Sequence, residues 1–187
     1  MGPVYLISNV HRSGSSMMMR CLIEGGLEGV FNTNTENQIF QDDYDPNPNG
    51  FYENNVAIED LTWYENKLTK FPFRELLHLP IGNYKILFLK RNPEEIRKSM
   101  LEFTPFTSWG REMVVLEFYD EIIGYIISEL DKRNDVTLTV LNYRDIVNNP
   151  LEAFNKLVSD GWEIDPVISA SLVDETLHRF KLEEDGK

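Results

Sequence analysis

The chain has 187 residues, 42% hydrophobic and 26% charged, a composition typical of one globular domain, residues 1–187, with a sizeable core. Its 31 Asp and Glu against 18 Lys and Arg give a net charge of −13, which disfavours nucleic acids and anionic membrane surfaces as partners. A single cysteine, Cys21, excludes an intramolecular disulfide framework, and the lack of an 18-residue apolar run or a signal-peptide pattern leads us to expect a cytoplasmic protein.

Hydrophobic periodicity and turn residues divide the first half of the chain into short elements. In chain order they predict a buried strand at 4–8, a helix at 15–24 ended by two glycines, a weak strand at 29–32, a helix at 56–65, a short strand at 67–71 and a helical turn at 74–78. Residues 33–55 are rich in Asn, Asp, Pro and Gly, which predicts a long loop. A loop of that length in a compact domain is usually functional.

The second half of the chain continues the alternation of strands and helices. It predicts a strand at 85–90, a helix at 93–102, one long amphipathic helix at 110–131 with Phe118 among its apolar positions, a strand at 137–142, and helices from Leu151 and Pro166. Because strands separated by helices pair in parallel and are covered on both faces, the pattern predicts a three-layer α/β fold. We expect a central, mostly parallel sheet of about five strands. An exposed apolar stripe on the 110–131 helix would indicate a homodimer.

Charge is distributed unevenly along the chain. Residues 28–66 hold nine acidic groups and no Lys or Arg, whereas residues 85–98 hold five basic groups against two acidic ones. Two interpretations of the basic segment stay open. It binds an anionic ligand, or its charges lie on a solvated helix face.

The loop after the first strand has the residues of an anion-binding turn. It reads Asn-Val-His-Arg-Ser-Gly-Ser-Ser over residues 9–16. A glycine allows a tight turn whose N–H groups surround an anion, and the helix N-terminus adds its dipole and its own donors. Arg12 supplies a cation, and Ser15 and Ser16 are candidate helix caps and hydroxyl donors. The alternative is an ordinary strand–helix turn. The phosphate-binding signature of kinases and GTPases, G-x-x-x-x-G-K-[ST], is absent. No Lys follows Gly14, and position 9, where the signature has its first glycine, is Asn.

A second candidate anion site follows the strand at 85–90. Arg91 falls at the carboxyl end of that strand, on the same edge of the sheet as the first loop. Ser99 lies almost two turns into the following helix. Together they could hold a second phosphate, the arginine by a forked ion pair and the serine by its hydroxyl. A surface serine is the plain alternative.

These motifs in this order resemble the sulfotransferase family that uses 3′-phosphoadenosine 5′-phosphosulfate, most closely its bacterial branch. Strand–Arg-Ser-Gly-Ser-Ser–helix, strand–Arg-Asn-Pro–helix with Ser99, and strand–Asn-Tyr-Arg-Asp carry the resemblance. The segments Asn-Pro-Asn-Gly-Phe-Tyr-Glu at 47–53 and Lys-Phe-Pro at 70–72 extend it, so that it covers about residues 3–160.

The resemblance implies a P-loop-like nucleotide fold and an assignment of residues. The 5′-phosphosulfate would be bound by the first loop, namely Arg12, Ser13, Gly14, Ser15 and Ser16. Arg91 and Ser99 would bind the 3′-phosphate, and Tyr143 matches the family tyrosine beside the adenine. The co-substrate would be 3′-phosphoadenosine 5′-phosphosulfate, and the family's reaction requires no metal.

The implied reaction moves a sulfuryl group to a hydroxyl or amine acceptor and needs a base to take the acceptor's proton. Glu53 is the first candidate base, with a helix N-terminal carboxylate as the alternative interpretation. His78 is the rival, because histidine is the side chain that most often serves as a general base. Lys70 could stabilise the bridging oxygen, with Arg12 beside it, or could simply be a partly buried lysine.

The sequence specifies the acceptor poorly. The acidic segment 28–66 argues against polyanionic glycosaminoglycans. A small alcohol, a sugar and a peptide all remain open. Two other functions also remain open, a P-loop kinase of a small metabolite and a non-catalytic nucleotide-binding module.

Overall fold

A computed structural model describes residues 2–31, 52, 54, 56–103 and 110–178. Its sheet has five strands in the order β2-β3-β1-β4-β5, and every neighbouring pair is parallel. The strands are β1 (Val4–Asn9), β2 (Glu28–Gly29), β3 (Lys67–Lys70), β4 (Tyr84–Lys90) and β5 (Val136–Asn142).

Helices fill most of the connections in the described ranges. The α-helices are α1 (Ser15–Glu24), α2 (Pro93–Phe103), α3 (Gly110–Glu117), α4 (Tyr119–Asp131), α5 (Tyr143–Asn148), α6 (Pro150–Ser159) and α7 (Pro166–Ser171). Shorter 3-10 helices span Ile58–Tyr64, Phe73–His78 and Glu175–Leu177.

The alternation of side chains along the central strands builds a hydrophobic cluster on each face of the sheet. Leu6 of β1 and Phe88 of β4 pack with α2, α3 and α4 on one face. Their chain neighbours Ile7 and Leu87 pack with α1 and α6 on the other face. Because strand side chains alternate, a strand buried on both faces is apolar along its length. The predicted three-layer α/β fold is confirmed, and its sheet is wholly parallel.

Several predicted elements differ from the observed ones. The predicted single helix at 110–131 is wrong, because Phe118 leaves helical geometry at φ −115° and ψ 31° and separates α3 from α4. Its side chain is 51% exposed, so it does not belong to the apolar face. The next residue, Tyr119, is buried, and its hydroxyl accepts a hydrogen bond from the Arg91 backbone N at 3.3 Å. This tertiary contact ties the start of α4 to the end of β4.

The order of the strands places a crevice between the carboxyl ends of β1 and β4. The chain leaves β1 through α1 toward β3 and β2, whereas it leaves β4 through α2, α3 and α4 on the opposite face toward β5. Ligands of open α/β sheets bind where the connections that follow two neighbouring strands leave on opposite faces of the sheet. Asn9 pairs in register with Leu89, so the loops that follow these two strands begin side by side.

No helix in the described ranges combines the length and the apolar character needed to cross a membrane.

Candidate functional site

The loop between β1 and α1 is a tight turn with a fixed backbone. Arg12 and Gly14 have positive φ angles of 69° and 95°. The Ser13 hydroxyl is fully buried and donates to the Val10 carbonyl oxygen at 2.7 Å, which closes the turn from inside. A Cβ atom at Gly14 would lie 2.5 Å from carbons of the Tyr143 ring, so only glycine fits both the backbone and the space.

The first turn of α1 differs from the sequence prediction. Gly14 is the N-cap residue and no side chain caps the helix, so the predicted capping by Ser15 or Ser16 is wrong. The left-handed conformation at Gly14 brings Ser15 directly into helical geometry. The Met18 backbone N donates to the Gly14 carbonyl oxygen at 3.2 Å. The amides before Met18 have no acceptor within the helix, as at any helix N-terminus, where such amides are suited to an anion.

The structure brings together residues from the two predicted anion sites. Arg12 Nε donates to Ser99 Oγ at 3.1 Å, although the two residues are 87 positions apart. Arg91 Nη1 donates to the Arg12 carbonyl oxygen at 3.0 Å. Ser99 is 2% exposed and lies beneath the loop rather than on the helix surface. The loop after β1, the end of β4 and the second turn of α2 therefore form one site.

Arg91 is held on several sides within this site. Its Nε donates to Glu95 Oε2 at 3.0 Å, and its guanidinium carbon lies 4.6 Å from the centroid of the Tyr143 ring. The side chain is 6% exposed. The buried Nη2 atom has no hydrogen-bond partner among the described residues. Because Nε and Nη1 are occupied, Nη2 is the guanidinium nitrogen left for an additional acceptor.

Glu95 and His178 are two further site residues that the sequence motifs do not indicate. Glu95 Oε2 accepts from His178 Nε2 at 2.8 Å, and the two residues are 2% and 5% exposed. Burial raises the pKa of Glu95, but the hydrogen bonds from His178 and Arg91 outweigh it, so the pKa lies below its ordinary value. Arg91 lies two residues before α2 and Glu95 is in the first turn of α2, so the two side chains meet where the strand end joins the helix. Nothing in the sequence indicated His178, which is 83 positions away from Glu95.

Lys70 reaches the other side of the loop from the carboxyl end of β3. Its ammonium Nζ donates to Ser16 Oγ at 3.0 Å, and the residue is 7% exposed. The adjacent Phe71 carbonyl oxygen accepts from Ser8 Oγ at 2.8 Å, which ties the end of β3 to β1. The structure thus places this predicted catalytic cation against the first turn of α1.

Tyr143 lies beneath the loop and is 3% exposed. Its ring contacts the Arg91 guanidinium, and it meets the His178 ring edge to face with a centroid distance of 5.0 Å. Burial raises the pKa of its hydroxyl. The predicted role beside an adenine remains a prediction, because protein groups cover the ring in this structure.

The candidate bases are placed differently. Glu53 lies outside the described residues, so its role remains a prediction. Its sequence neighbour Asn54 donates from Nδ2 to Thr69 Oγ1 at 3.1 Å, one residue before Lys70. His78 is exposed. It directly precedes Leu79, whose carbonyl oxygen accepts a hydrogen bond from Arg133 Nη1 at 2.7 Å. This contact lies near the amino ends of the strands, which form the amino edge of the sheet. The structure does not bring His78 to the site.

Fold and site together define a parallel α/β protein with arginine and lysine side chains gathered at the carboxyl edge of its sheet. No protein-family model matches the chain, and no curated protein sequence matches it significantly. In the described part of the chain, no group of three or more His, Cys, Asp or Glu side chains could hold a metal ion.

Proposed function

We propose that the protein is a sulfotransferase that moves a sulfuryl group from 3′-phosphoadenosine 5′-phosphosulfate to a hydroxyl or amine acceptor. One observation carries the proposal. Arg12 of the loop, Arg91 of β4's end and Ser99 of α2 meet at 3.0–3.1 Å in the crevice between β1 and β4. These residues come from two separate candidate anion sites, and the proposed co-substrate has anionic groups at two separate positions.

The loop and its neighbours suit the 5′-phosphosulfate. The first-turn amides of α1 and the Arg12 guanidinium offer donors to its oxygens. Lys70, 3.0 Å from Ser16 Oγ, adds a second cation from β3. In an in-line transfer, negative charge spreads over the equatorial and leaving oxygens, and cations fixed beforehand stabilise it without reorganisation. The proposed role of Lys70 is to stabilise the charge on the bridging oxygen.

The 3′-phosphate is assigned to Arg91 and Ser99. A buried donor without an acceptor costs about 1–3 kcal/mol. Within the described part of the chain the Nη2 atom of Arg91 is such a donor, and an oxygen of a bound phosphate would relieve that cost. The neighbouring Ser99 hydroxyl supplies a further donor within the same site. This pair would give the protein its preference for a nucleotide with a 3′-phosphate.

In the proposed reaction the acceptor oxygen attacks sulfur while the bond from sulfur to the 5′-phosphate oxygen breaks. The products are the sulfated acceptor and 3′-phosphoadenosine 5′-phosphate. The proton of the acceptor passes to a base, and Glu53 is the proposed base.

Isothermal titration calorimetry tests the proposal by comparing 3′-phosphoadenosine 5′-phosphate, 5′-AMP and Mg-ATP. We expect the 3′-phosphorylated nucleotide to bind at least tenfold more tightly than 5′-AMP, because only it engages Arg91 and Ser99. Preferential binding of Mg-ATP would replace the proposal with the kinase interpretation. A non-catalytic module would bind 3′-phosphoadenosine 5′-phosphate tightly. It would convert no 3′-phosphoadenosine 5′-phosphosulfate in the presence of any alcohol, sugar or peptide acceptor.

Two arginine variants make the calorimetric test specific. In Arg91→Ala we expect the preference for the 3′-phosphate to disappear. Arg97→Ala removes the same charge six residues further along the chain, but Arg97 is half-buried in α2 with its Nε 3.4 Å from the exposed Glu94, where an ion pair contributes little. An equal loss of preference in both variants would indicate a general effect of charge and contradict the assignment.

A further inference from the structure

Glu95 is the centre of a buried network that joins four parts of the chain. Its Oε2 accepts from Arg91 Nε at 3.0 Å and from His178 Nε2 at 2.8 Å. Its Oε1 lies 3.5 Å from Arg144 Nη2. Arg91 directly follows β4, Arg144 belongs to α5 and His178 ends the segment 172–178, while Glu95 itself belongs to α2.

We infer that Glu95 is a positioning residue for Arg91, and that through His178 it couples the docking of the segment 172–178 to recognition of the 3′-phosphate. The inference rests on the proposed function. It concerns two residues to which the proposed reaction assigns no role. It also makes the segment 172–178 part of the nucleotide site.

The geometry of Arg91 shows what Glu95 determines. A guanidinium is a rigid plane, so fixing two of its nitrogens fixes the direction of the third. Glu95 holds Nε and the Arg12 carbonyl oxygen holds Nη1, which leaves Nη2 as the donor without an acceptor among the described residues. Loss of the carboxylate would free the plane to rotate. The open donor would then lose its fixed direction toward the 3′-phosphate.

His178 connects this carboxylate to the C-terminal segment. It directly follows the 3-10 helix Glu175–Leu177, whose start is fixed by Asp174 accepting from the Thr176 backbone N at 2.9 Å. The His178 ring also packs edge to face on Tyr143, the residue beneath Gly14. The segment therefore touches both the support of the anion loop and the support of Arg91.

Coupling between docking of the segment 172–178 and binding of the 3′-phosphate is reciprocal by thermodynamic necessity. If the docked segment holds Glu95 and thereby Arg91 in place, the bound 3′-phosphate in turn favours the docked segment. Both effects depend on the contact between Glu95 and His178, and either can be measured.

The test compares the affinities for 3′-phosphoadenosine 5′-phosphate and 5′-AMP in Glu95→Ala, which removes the acceptor oxygens, in His178→Ala and in the matched control Glu94→Ala. Glu94 is the adjacent residue of α2, but its side chain is 56% exposed. In the first two variants we expect the ratio of the two affinities to fall at least tenfold, while 5′-AMP binding changes less than twofold. The control should keep the ratio of the wild type. The variant His178→Gln, whose amide can still donate to Glu95, should restore most of it.

A purely structural role predicts a different result. It would weaken both nucleotides alike or lower the melting temperature with the ratio unchanged, and either result overturns the inference while leaving the proposed function intact. A wild-type protein that does not distinguish the two nucleotides would overturn the proposed function and this inference with it. Because His178 is near the end of the described chain, its variants keep the test decisive even if Glu95→Ala does not fold.

Hydrogen exchange gives an independent measurement. We expect 3′-phosphoadenosine 5′-phosphate to slow amide exchange in the segment 172–178 of the wild type and of Glu94→Ala, and to leave that segment unaffected in Glu95→Ala. Equal protection in all three proteins would contradict the coupling.

Discussion

At the scale of single residues, Cys21 shows how burial suppresses the reactivity of a thiol. Cys21 lies on the buried face of α1, within the hydrophobic cluster between that helix and the sheet, and is fully buried. Burial raises its pKa to about 12, so at pH 8 only about one molecule in ten thousand carries the reactive thiolate. We expect no labelling by a thiol reagent at pH 8 within an hour in the folded protein. One equivalent should react in 6 M guanidinium, and rapid labelling of the folded protein would indicate local opening of α1.

The site residues divide into those that a sequence can indicate and those that it cannot. Arg12, Arg91 and Ser99 were readable because each follows a strand of a parallel sheet, and the carboxyl ends of such strands share one edge. Their direct contacts confirm that they are brought together, whereas their ligand remains a proposal. His178 was not readable, because its position depends on where the last segment packs. Only the tertiary structure contains that information.

At the scale of secondary-structure elements, the start of α1 depends on Gly14. Replacement by alanine combines a positive φ of 95° with a Cβ placed 2.5 Å from the Tyr143 ring. A residue with a Cβ loses roughly 1–2 kcal/mol in this backbone region, and the clash adds to that loss. We expect Gly14→Ala to lower the free energy of unfolding by about 3 kcal/mol, as measured by urea denaturation. It should also weaken nucleotide binding, because the loop must shift.

Two other glycines are matched controls for this prediction. Gly26 has φ +122° but open space around its Cβ position, so Gly26→Ala should show the backbone cost alone. Gly124 lies in α4, is exposed and also has open space, so alanine should stabilise the protein by about 0.5–1 kcal/mol. Equal stability of the Gly14 and Gly26 variants would show that the contact with Tyr143 is unimportant.

The predicted elements show where local patterns suffice and where they fail. The helix predicted at 15–24 has the bounds of α1, because glycines at both ends stop it locally. The break at Phe118 was not predictable, because the apolar spacing continues across it and only the contact of Tyr119 with β4 marks the start of α4. The helix predicted at 56–65 is a 3-10 helix at Ile58–Tyr64. Hydrophobic periodicity over so short a segment does not separate the two kinds of helix.

At the scale of the whole molecule, the two edges of the sheet hold different groups. The carboxyl edge gathers Arg12, Lys70 and Arg91 in a chain whose net charge is −13. A local excess of cations in so acidic a chain favours a specific anionic ligand over non-specific binding of polyanions. The amino edge has no part in the proposed site. It is closed by Arg133, which lies between α4 and β5 and donates to the carbonyl oxygens of Leu79 and Pro80 at 2.7 and 2.8 Å.

Acid stability is therefore expected to depend on the amino edge, separately from ligand binding. The hydrogen bond from Arg133 lowers the pKa of Asp135 from 3.8 to about 2, and its carboxylate also accepts from the Gly82 backbone N at 2.9 Å. A carboxylate whose pKa is lowered by folding stabilises the protein above the unfolded pKa and loses this contribution as the pH falls through the folded pKa. The loss should thus run from about pH 4 to about pH 2. We expect it to be about 1–2 kcal/mol, less than the full shift implies, because water screens a partly exposed pair.

Urea denaturation at a series of pH values measures this contribution in Asp135→Asn. The variant should be less stable than the wild type at pH 7, and the difference should shrink as the pH falls from 4 to 2. Asp120→Asn is the matched control, because Asp120 is 90% exposed and lies 4.0 Å from Lys90. A difference that stays constant down to pH 2 would contradict the assignment. Unchanged nucleotide affinity in Asp135→Asn at pH 7 would show that the two edges act independently, since this carboxylate stabilises the edge opposite to the proposed site.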